Sequence, residues 1–267
     1  SVTFGSYESE DILDEIRENE DSQYYILEKY LFSVLIYADK WDVILGANRE
    51  LQEAIQEDLI DIFLKDKQRN DVLNVARQKA YMQVTGMAPI VNPDNRIYSI
   101  SLPTGLGKTF TSVSFALKFA DRLTKDNINY KVIYSLPFTS VIDQNFNVLE
   151  DVFQSVTGQS PTTSTLLKHH YLSDVFYKGK QKYDIDKSNH LIASWESSMV
   201  ITTFVQFFYT LFGNGNKSLI KFSAMQNSIV ILDEVQSIPY KFWLLLNQFL
   251  PEIANRLNMY FILVTAT

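Results

Sequence analysis

From about residue 96 onward, apolar segments of strand length alternate with segments that have the apolar spacing of helices. Two polar stretches interrupt this pattern, an insertion at Tyr177–Asn189 and a turn at Gly213–Ser218. The predicted strands are Arg96–Leu102, Lys131–Leu136, Met199–Thr202, Ile229–Leu232 and Tyr260–Val264. The predicted helices are Thr109–Thr124, Ser140–Phe153, Thr203–Phe212 and Lys241–Arg256. Strand–helix alternation is typical of a parallel sheet with helices on both faces, so we predict an α/β domain with a mostly parallel sheet.

The residues before this alternation have helical spacing alone. The predicted helices there are Tyr24–Leu45, a second with the face Leu51, Ile55, Leu59 and Ile62, and a third at Asp71–Val84. Two prolines and two asparagines within Met87–Asn95 are typical of a connecting segment. We therefore predict a small helical segment over residues 1–86, followed by the α/β domain over residues 87–267.

A glycine-containing turn, here called the phosphate loop, joins the first predicted strand to the first helix of the α/β domain. Its residues are Thr104, Gly105, Leu106, Gly107, Lys108 and Thr109. The two glycines permit a tight turn whose backbone N–H groups converge at a helix N-terminus, and Lys108 adds a flexible cation. Thr109 places a hydroxyl where it can bind Mg²⁺. Because a strand and a helix flank the loop, a chance Gly-Lys-Thr on the surface is the weaker interpretation, and we predict a nucleoside triphosphate site with Mg²⁺.

Two acids follow the apolar run Ser228–Leu232. Such a run predicts a buried strand, and Asp233 and Glu234 then stand at its carboxyl end, where nucleotides bind in α/β sheets. Asp233 is the expected Mg²⁺ ligand, acting through the water around the ion, and Glu234 is the expected base for an attacking water. An ordinary acidic pair at a turn is the alternative, and the phosphate loop in the same alternating domain disfavours it.

The composition excludes several kinds of site. Without cysteine the chain has no disulfide, thiolate-bound zinc or iron–sulfur cluster, and its three histidines make a histidine-built metal site unexpected. No apolar run reaches the ~20 residues that cross a bilayer, and Ser1–Glu20 is acidic, which predicts a cytoplasmic protein without a membrane partner. The net charge of −7 argues against a surface coated for nucleic acid, although a local groove of hydroxyls and amides can still bind phosphates.

Several of these segments together resemble a known family. The phosphate loop, with Leu102 in place of the usual alanine, is similar to A-x-T-G-x-G-K-T, and the two acids begin an Asp-Glu-x-x box. With the terminal Thr-Ala-Thr, these look like motifs I, II and III of superfamily 2 helicases. The segments whose wording is similar to the helicase–nuclease of type I CRISPR systems are Leu136–Gln144, Thr202–Gln206 and Asn227–Pro239. The resemblance covers roughly Asn74–Thr267.

The resemblance implies a RecA-like P-loop domain of an ATP-driven translocase that moves on single-stranded DNA and unwinds target DNA for a nuclease. It adds Gln236, the fourth residue of motif II, to the catalytic set of Lys108, Asp233 and Glu234. The implied strand-binding residues are Thr139 and Ser140 of motif Ia, and Thr202, Thr203 and Gln206 of motif Ib. The implied coupling residues, which link nucleotide state to DNA, are Thr265 and Thr267 of motif III. Hydroxyls and amides suit phosphate contacts that read no base, although Thr139 and Ser140 have helix capping as an alternative role.

The N-terminal helices resemble the tail of the HD nuclease domain that precedes the helicase in this family. Asp39, at the end of Tyr-Ala-Asp, matches a metal ligand of that domain. The chain has no His-Asp pair, so a two-metal site is not expected from these residues, and a solvated helix end is the alternative role for Asp39.

Two further groups of residues receive weaker assignments. The segment before the phosphate loop also resembles the family, and the resemblance implies that Asn74 and Arg77 face the adenine, with Gln78 and Gln83 as lesser candidates. The pair His169-His170 is expected in a loop, either near the DNA path or on an ordinary surface.

The resemblance also implies partners. They are single-stranded DNA, the CRISPR RNA-guided surveillance complex, and a second RecA-like domain and an HD nuclease domain in the same or another chain. The second RecA-like domain supplies an arginine finger, so the sequence ending at motif III is expected to turn over ATP slowly by itself. Two alternatives stay open: another superfamily 2 helicase or translocase acting on duplex DNA or RNA, and a nucleotide-dependent docking module without hydrolysis.

Overall fold

The computed structural model describes residues 22–44, 54–65, 67, 72–124, 128–170 and 192–266. The described strands are β1 (Ile97–Ser101), β2 (Lys131–Leu136), β3 (Leu166–His169), β4 (Met199–Thr203), β5 (Ser228–Asp233) and β6 (Tyr260–Thr265). The described α-helices are α1 (Ser22–Ile44), α2 (Leu59–Lys65), α3 (Val72–Thr85), α4 (Lys108–Leu123), α5 (Thr139–Thr157), α6 (Phe204–Phe212), α7 (Asn216–Phe222) and α8 (Trp243–Arg256). Short 3₁₀ turns occupy Ser223–Met225, Val235–Ser237 and Tyr240–Phe242. None of the helices in these ranges has the length and apolar character needed to cross a membrane.

The described strands form one six-stranded sheet in the order β1-β6-β5-β2-β4-β3, and every pairing in it is parallel. This confirms the predicted α/β fold with a parallel sheet. Because the strands are parallel, their carboxyl ends meet at one edge of the sheet. Most of the predicted site residues lie at or just after the carboxyl ends of β1, β2, β4, β5 and β6, so those among the described residues meet at that edge.

Helices cover both faces of the sheet. On β5, which is buried along its whole length, Ile229 and Ile231 pack into one apolar cluster and Val230 and Leu232 into the other, as the two-residue period of a strand requires. The first cluster contains residues of α2, α4 and α5, and the second contains residues of α1, α6, α7 and α8. This double burial explains why the strands appear in the sequence as continuous apolar runs rather than as alternating ones.

Helix α1 is fixed to the α/β domain by buried polar contacts. Lys29 donates hydrogen bonds from Nζ to the carbonyl oxygens of Leu211 and Gly213, at 2.6 and 2.8 Å. The hydroxyl of Ser33 accepts from the backbone N–H of Ser223 at 2.7 Å. Burial lowers the pKa of Lys29 to about 7, because the ammonium has lost most of its water. The carbonyl groups at the end of α6 are therefore satisfied by a side chain that lies 182 positions earlier.

Three features differ from the sequence predictions. Strand β3 was not predicted, because two apolar residues followed by lysine and histidine give little local signal and the pairing with β4 is long-range. The helix predicted on the face Leu51–Ile62 begins only at Leu59, where burial of Ile60 and Phe63 stabilises it. The turn predicted at Gly213–Ser218 is already the start of α7 from Asn216. The predicted insertion at Tyr177–Asn189 lies outside the described residues.

Candidate functional site

The phosphate loop has the backbone geometry that its glycines were expected to provide. Gly105 and Gly107 have φ angles of +85° and +80°, in the left-handed region that disfavours other residues, and α4 begins at the next residue, Lys108. Leu102, at the start of the turn, is buried in the apolar core. Arg77 of α3 donates from Nε to the carbonyl oxygen of Gly105 at 2.7 Å. The loop is thus held by an arginine that the sequence had placed near the adenine.

The acidic box meets the phosphate loop across the sheet edge. Lys108 forms an ion pair through Nζ with Oε1 of Glu234, although the two residues are 126 positions apart. Gln236 donates from Nε2 to the other oxygen, Oε2, of the same carboxylate. Glu234 has a φ angle of +54°, an unusual value for a residue with a side chain, which turns the chain sharply at the end of β5. Two of the four predicted catalytic residues, Lys108 and Gln236, therefore both contact a third, Glu234.

Asp233 and Thr109 are joined by a buried tyrosine. The hydroxyl of Tyr134 donates to Oδ2 of Asp233 at 2.6 Å and lies 3.4 Å from Oγ1 of Thr109. The other oxygen of Asp233 accepts from the backbone N–H of Glu234 at 2.8 Å. Burial raises the pKa of Asp233, and the hydrogen bonds from Tyr134 and the Glu234 backbone oppose that rise. The two residues predicted to hold Mg²⁺ are thus neighbours at a site lined by oxygen atoms.

Sequence reasoning missed two residues of this cluster, Tyr134 and Asn145. Asn145 accepts from Oγ1 of Thr109 at 2.9 Å. Tyr134 is fully buried in β2 and Asn145 is nearly so in α5. A polar atom inside an apolar strand was the available signal for Tyr134, because a buried hydroxyl requires a hydrogen-bond partner. Asn145 had no comparable signal, since an amide on an amphipathic helix is common.

The predicted strand-binding residues after β2 lie at the same sheet edge. Thr139 is the first residue of α5 and is half-buried, and Ser140 is exposed. The N-cap position belongs to Phe138, and no side chain caps this helix. The two hydroxyls are therefore not used as caps, and that of Ser140 lies at the surface.

The predicted strand-binding residues at the end of β4 and the start of α6 are more enclosed. Thr202 is fully buried and donates to the carbonyl oxygen of His169 at 2.8 Å. Thr203 caps α6 by accepting from the backbone N–H of Gln206 at 3.0 Å. Gln206 is half-buried, and its Oε1 has no hydrogen-bond partner within the described ranges. In this conformation both threonine hydroxyls form hydrogen bonds that stabilise the fold, and Oε1 of Gln206 is an acceptor without a partner among the described residues.

The coupling residue Thr265 ends β6 next to β1. Its hydroxyl donates to that of Ser101 at 3.3 Å, and its carbonyl oxygen accepts from the N–H of Leu102 at 3.3 Å. Thr265 therefore contacts the residues that lead directly into the phosphate loop. Thr267 lies outside the described residues.

The residues with weaker assignments lie on α1 and α3, and most of them are exposed. Asp39 is exposed on α1, and among the described residues no group of three or more His, Cys, Asp or Glu side chains is arranged to hold a metal ion. Asn74 accepts from Nη1 of Arg77 at 3.2 Å on α3, while Gln78 and Gln83 are exposed on the same helix. The roles of these residues stay predictions.

The expectation that the histidine pair lies in a loop is wrong for His169. It is the last residue of β3, and its Nδ1 accepts from Nε1 of Trp195 at 2.9 Å. Burial lowers its pKa to about 3, so the ring is neutral. The neighbouring His170 is buried with its Nε2 at 3.6 Å from Oδ1 of Asp143. Both rings are parts of the packed edge of the sheet, for which two adjacent histidines gave no local signal.

Comparison with known proteins adds an independent line of information. Residues 53–267 match the family described as DEAD/DEAH box helicase. The CRISPR-associated nuclease/helicase Cas3 of Haloferax volcanii is 36% identical over 191 residues, which are 67% of this chain and 20% of that protein. This chain thus spans about a fifth of the length of that curated relative.

Two solved structures are similar in part. The crystal structure of T. fusca Cas3-ADP has a TM-score of 0.45 and 16% identity, over 72% of this chain and 20% of that one. The crystal structure of DUF1998 helicase MrfA bound to DNA has a TM-score of 0.47 and 14% identity, over 82% and 27% of the two chains.

Proposed function

Because the chain belongs to the DEAD/DEAH box helicase family, we propose that it forms the ATP-binding part of a helicase that translocates on single-stranded DNA. The observation that carries this proposal is the contact of Lys108 with Glu234 across the sheet edge, beside Thr109 and Asp233. A phosphate-binding lysine, a metal-binding hydroxyl and a pair of acids at one edge of the sheet are what phosphoryl transfer to water needs.

Each residue of this cluster has a chemical role in the proposal. Lys108 binds the β- and γ-phosphates, and Glu234 orients and deprotonates the attacking water. Thr109, and Asp233 through water, would hold Mg²⁺, which would supply positive charge against the phosphate oxygens; their oxygen atoms fit that hard ion. Lys108 must leave Glu234 to reach a phosphate, and this exchange frees the carboxylate for water. Gln236 donates to the other oxygen of Glu234, a hydrogen bond that does not involve Lys108.

The same sheet edge supports a DNA-binding role. Thr139 and Ser140 follow β2, and Thr202, Thr203 and Gln206 lie at the end of β4 and the start of α6, on the side of the sheet away from β1. The exposed hydroxyl of Ser140 is available for a contact to a phosphate backbone, whereas Thr202 would first have to release its hydrogen bond to His169. Thr265 ends β6, which lies between β1 and β5 in the sheet. In the proposal it transmits a shift on nucleotide binding along this edge, and Thr267 is proposed to share that role.

We place this activity in a type I CRISPR interference enzyme that unwinds target DNA for degradation. The identity to the Haloferax volcanii protein, whose name joins nuclease to helicase, supports this placement. The proposed partners are the CRISPR RNA-guided surveillance complex, a second RecA-like domain that completes the ATP site, and an HD nuclease domain. In this proposal residues 1–86 are the end of that nuclease domain and a linker, with Asp39 a remnant of its metal site, and the protein acts in the cytoplasm.

The experiment that tests the function is Glu234→Gln in the complete gene product. The variant should bind ATP as the wild type does, because Lys108 and the phosphate loop remain. Its ATPase stimulated by single-stranded DNA should fall by about 10²–10⁴-fold, the usual contribution of a general base. Unchanged turnover would overturn the assignment. Stimulation of the wild type by duplex DNA or RNA in preference to single-stranded DNA would favour another helicase of the same superfamily.

A further inference from the structure

Tyr134 occupies an unusual position for a tyrosine. It lies in β2, a strand whose every residue is buried, and its own side chain has no exposed surface. A phenylalanine would fill an apolar core site without the need to pair a hydroxyl. A buried hydroxyl is tolerated only where it is hydrogen-bonded, so its partners indicate its role.

The hydroxyl of Tyr134 lies between the two residues assigned to Mg²⁺. It donates its hydrogen to Oδ2 of Asp233 at 2.6 Å and is 3.4 Å from Oγ1 of Thr109. Oδ1 of Asp233 accepts from the N–H of Glu234 at 2.8 Å. With one hydrogen bond on each oxygen, the carboxylate is held in a single rotational orientation.

Asn145 orients the other proposed ligand. Its Nδ2 donates to the carbonyl oxygen of Val141 at 2.9 Å, which turns Oδ1 towards Thr109. The hydroxyl of Thr109 donates its only hydrogen to that Oδ1 at 2.9 Å. The lone pairs of Thr109 are thus directed away from Asn145 and are available to a cation. A hydroxyl binds a metal ion through an oxygen lone pair, so its hydrogen has to point to another acceptor, as that of Thr109 does.

We propose that Tyr134 is a positioning residue for Mg²⁺, which presets the carboxylate of Asp233, and that Asn145 does the same for the hydroxyl of Thr109. The proposal rests on the function proposed above, since it needs a metal between these two ligands. Neighbours of metal ligands typically change metal affinity by about 10–100-fold when they are removed. The expected signature is a weaker affinity for Mg²⁺, with nucleotide binding in the absence of Mg²⁺ unchanged.

The test uses Tyr134→Phe in the complete gene product. Binding of a non-hydrolysable ATP analogue is titrated with rising Mg²⁺ and again in excess EDTA. In Tyr134→Phe the Mg²⁺ concentration for half-maximal tightening should rise about 10-fold, while affinity in EDTA stays that of the wild type. The matched control is Tyr130→Phe, which removes a tyrosine hydroxyl that accepts from Asn258 at 2.6 Å near the opposite end of β2. This control should leave both measurements unchanged.

The outcomes separate this proposal from the function itself. A wild-type protein with no Mg²⁺-dependent binding overturns both. A wild-type protein that responds to Mg²⁺, with a Tyr134→Phe variant that responds identically or loses affinity equally in EDTA, overturns the positioning role alone. If Tyr134→Phe does not fold, as judged by thermal melting, the same Mg²⁺ titration is made with Asn145→Ala. A raised Mg²⁺ requirement in that variant supports the proposal, and an unchanged requirement overturns it.

Discussion

Removal of the Lys108–Glu234 ion pair should have a measurable and non-additive effect on the stability of the nucleotide-free protein. The two side chains are 10% and 33% exposed, so the pair lies between a surface ion pair and a fully buried one. Exposed pairs contribute ~0.2–1 kcal/mol, and hydrogen bonds to charged groups contribute ~1.5–3 kcal/mol. We therefore expect a coupling free energy of about 1–2 kcal/mol between Lys108→Met and Glu234→Gln.

The assay is a double-mutant cycle. The free energy of unfolding is measured by urea titration for the wild type, both single variants and the double variant, without nucleotide. A control cycle on Arg256 and Glu252, an i,i+4 pair on α8 whose arginine is exposed and whose Nε and Oε1 are 2.9 Å apart, should give no more than ~0.5 kcal/mol. High salt should leave most of the first coupling in place, because Lys108 is largely shielded from solvent.

A coupling no larger than that of the control pair would refute this reasoning. It would mean that Lys108 and Glu234 do not meet in solution when nucleotide is absent. The single substitutions do not give this information, since each also changes the solvation of the residue that remains.

Two further predictions concern buried charge and backbone strain. Burial lowers the pKa of Lys29 from 10.5 to about 7, so between these pH values the unfolded chain binds more protons than the folded one. The free energy of unfolding of the wild type should therefore rise with pH in that window relative to Lys29→Met. Parallel pH profiles of the two proteins in urea unfolding would contradict this. Gly107 has a φ angle of +80°, so Gly107→Ala should destabilise the fold by ~1–2 kcal/mol and should weaken ATP binding. The control is Gly158→Ala after α5, where φ is +76°: it should lose similar stability, with unchanged ATP affinity in a titration.

Local sequence patterns predicted the elements whose own residues indicate their structure, by apolar spacing or by glycine at a turn. The strand Lys131–Leu136 has the predicted bounds, and its central residues Val132–Tyr134 form the apolar run expected of a strand buried on both faces. The glycines of the phosphate loop adopt the positive φ angles for which that turn selects glycine. The parallel sheet follows from strand–helix alternation, which is a property of the whole domain.

The remaining features depend on contacts between residues far apart in the chain. Strand β3 exists because β4 pairs with it, and His169 is buried because Trp195 covers it. Tyr134 contacts Asp233, 99 positions away, and neither local sequence indicates the other. Arg77 binds the carbonyl of Gly105, and its place in the sequence ahead of the phosphate loop did not indicate this contact. Such pairings are decided by tertiary packing, which local periodicity does not encode.

The central claim is that Lys108, Thr109, Asp233 and Glu234 act on one triphosphate. A crystal structure with Mg²⁺ and a non-hydrolysable ATP analogue tests it most directly. We predict that Nζ of Lys108 leaves Glu234 for the phosphates, and that Mg²⁺ lies ~2.1 Å from Oγ1 of Thr109 and one water away from Asp233. A nucleotide bound away from the phosphate loop, or an ion that contacts neither Thr109 nor the water shell of Asp233, would contradict the claim.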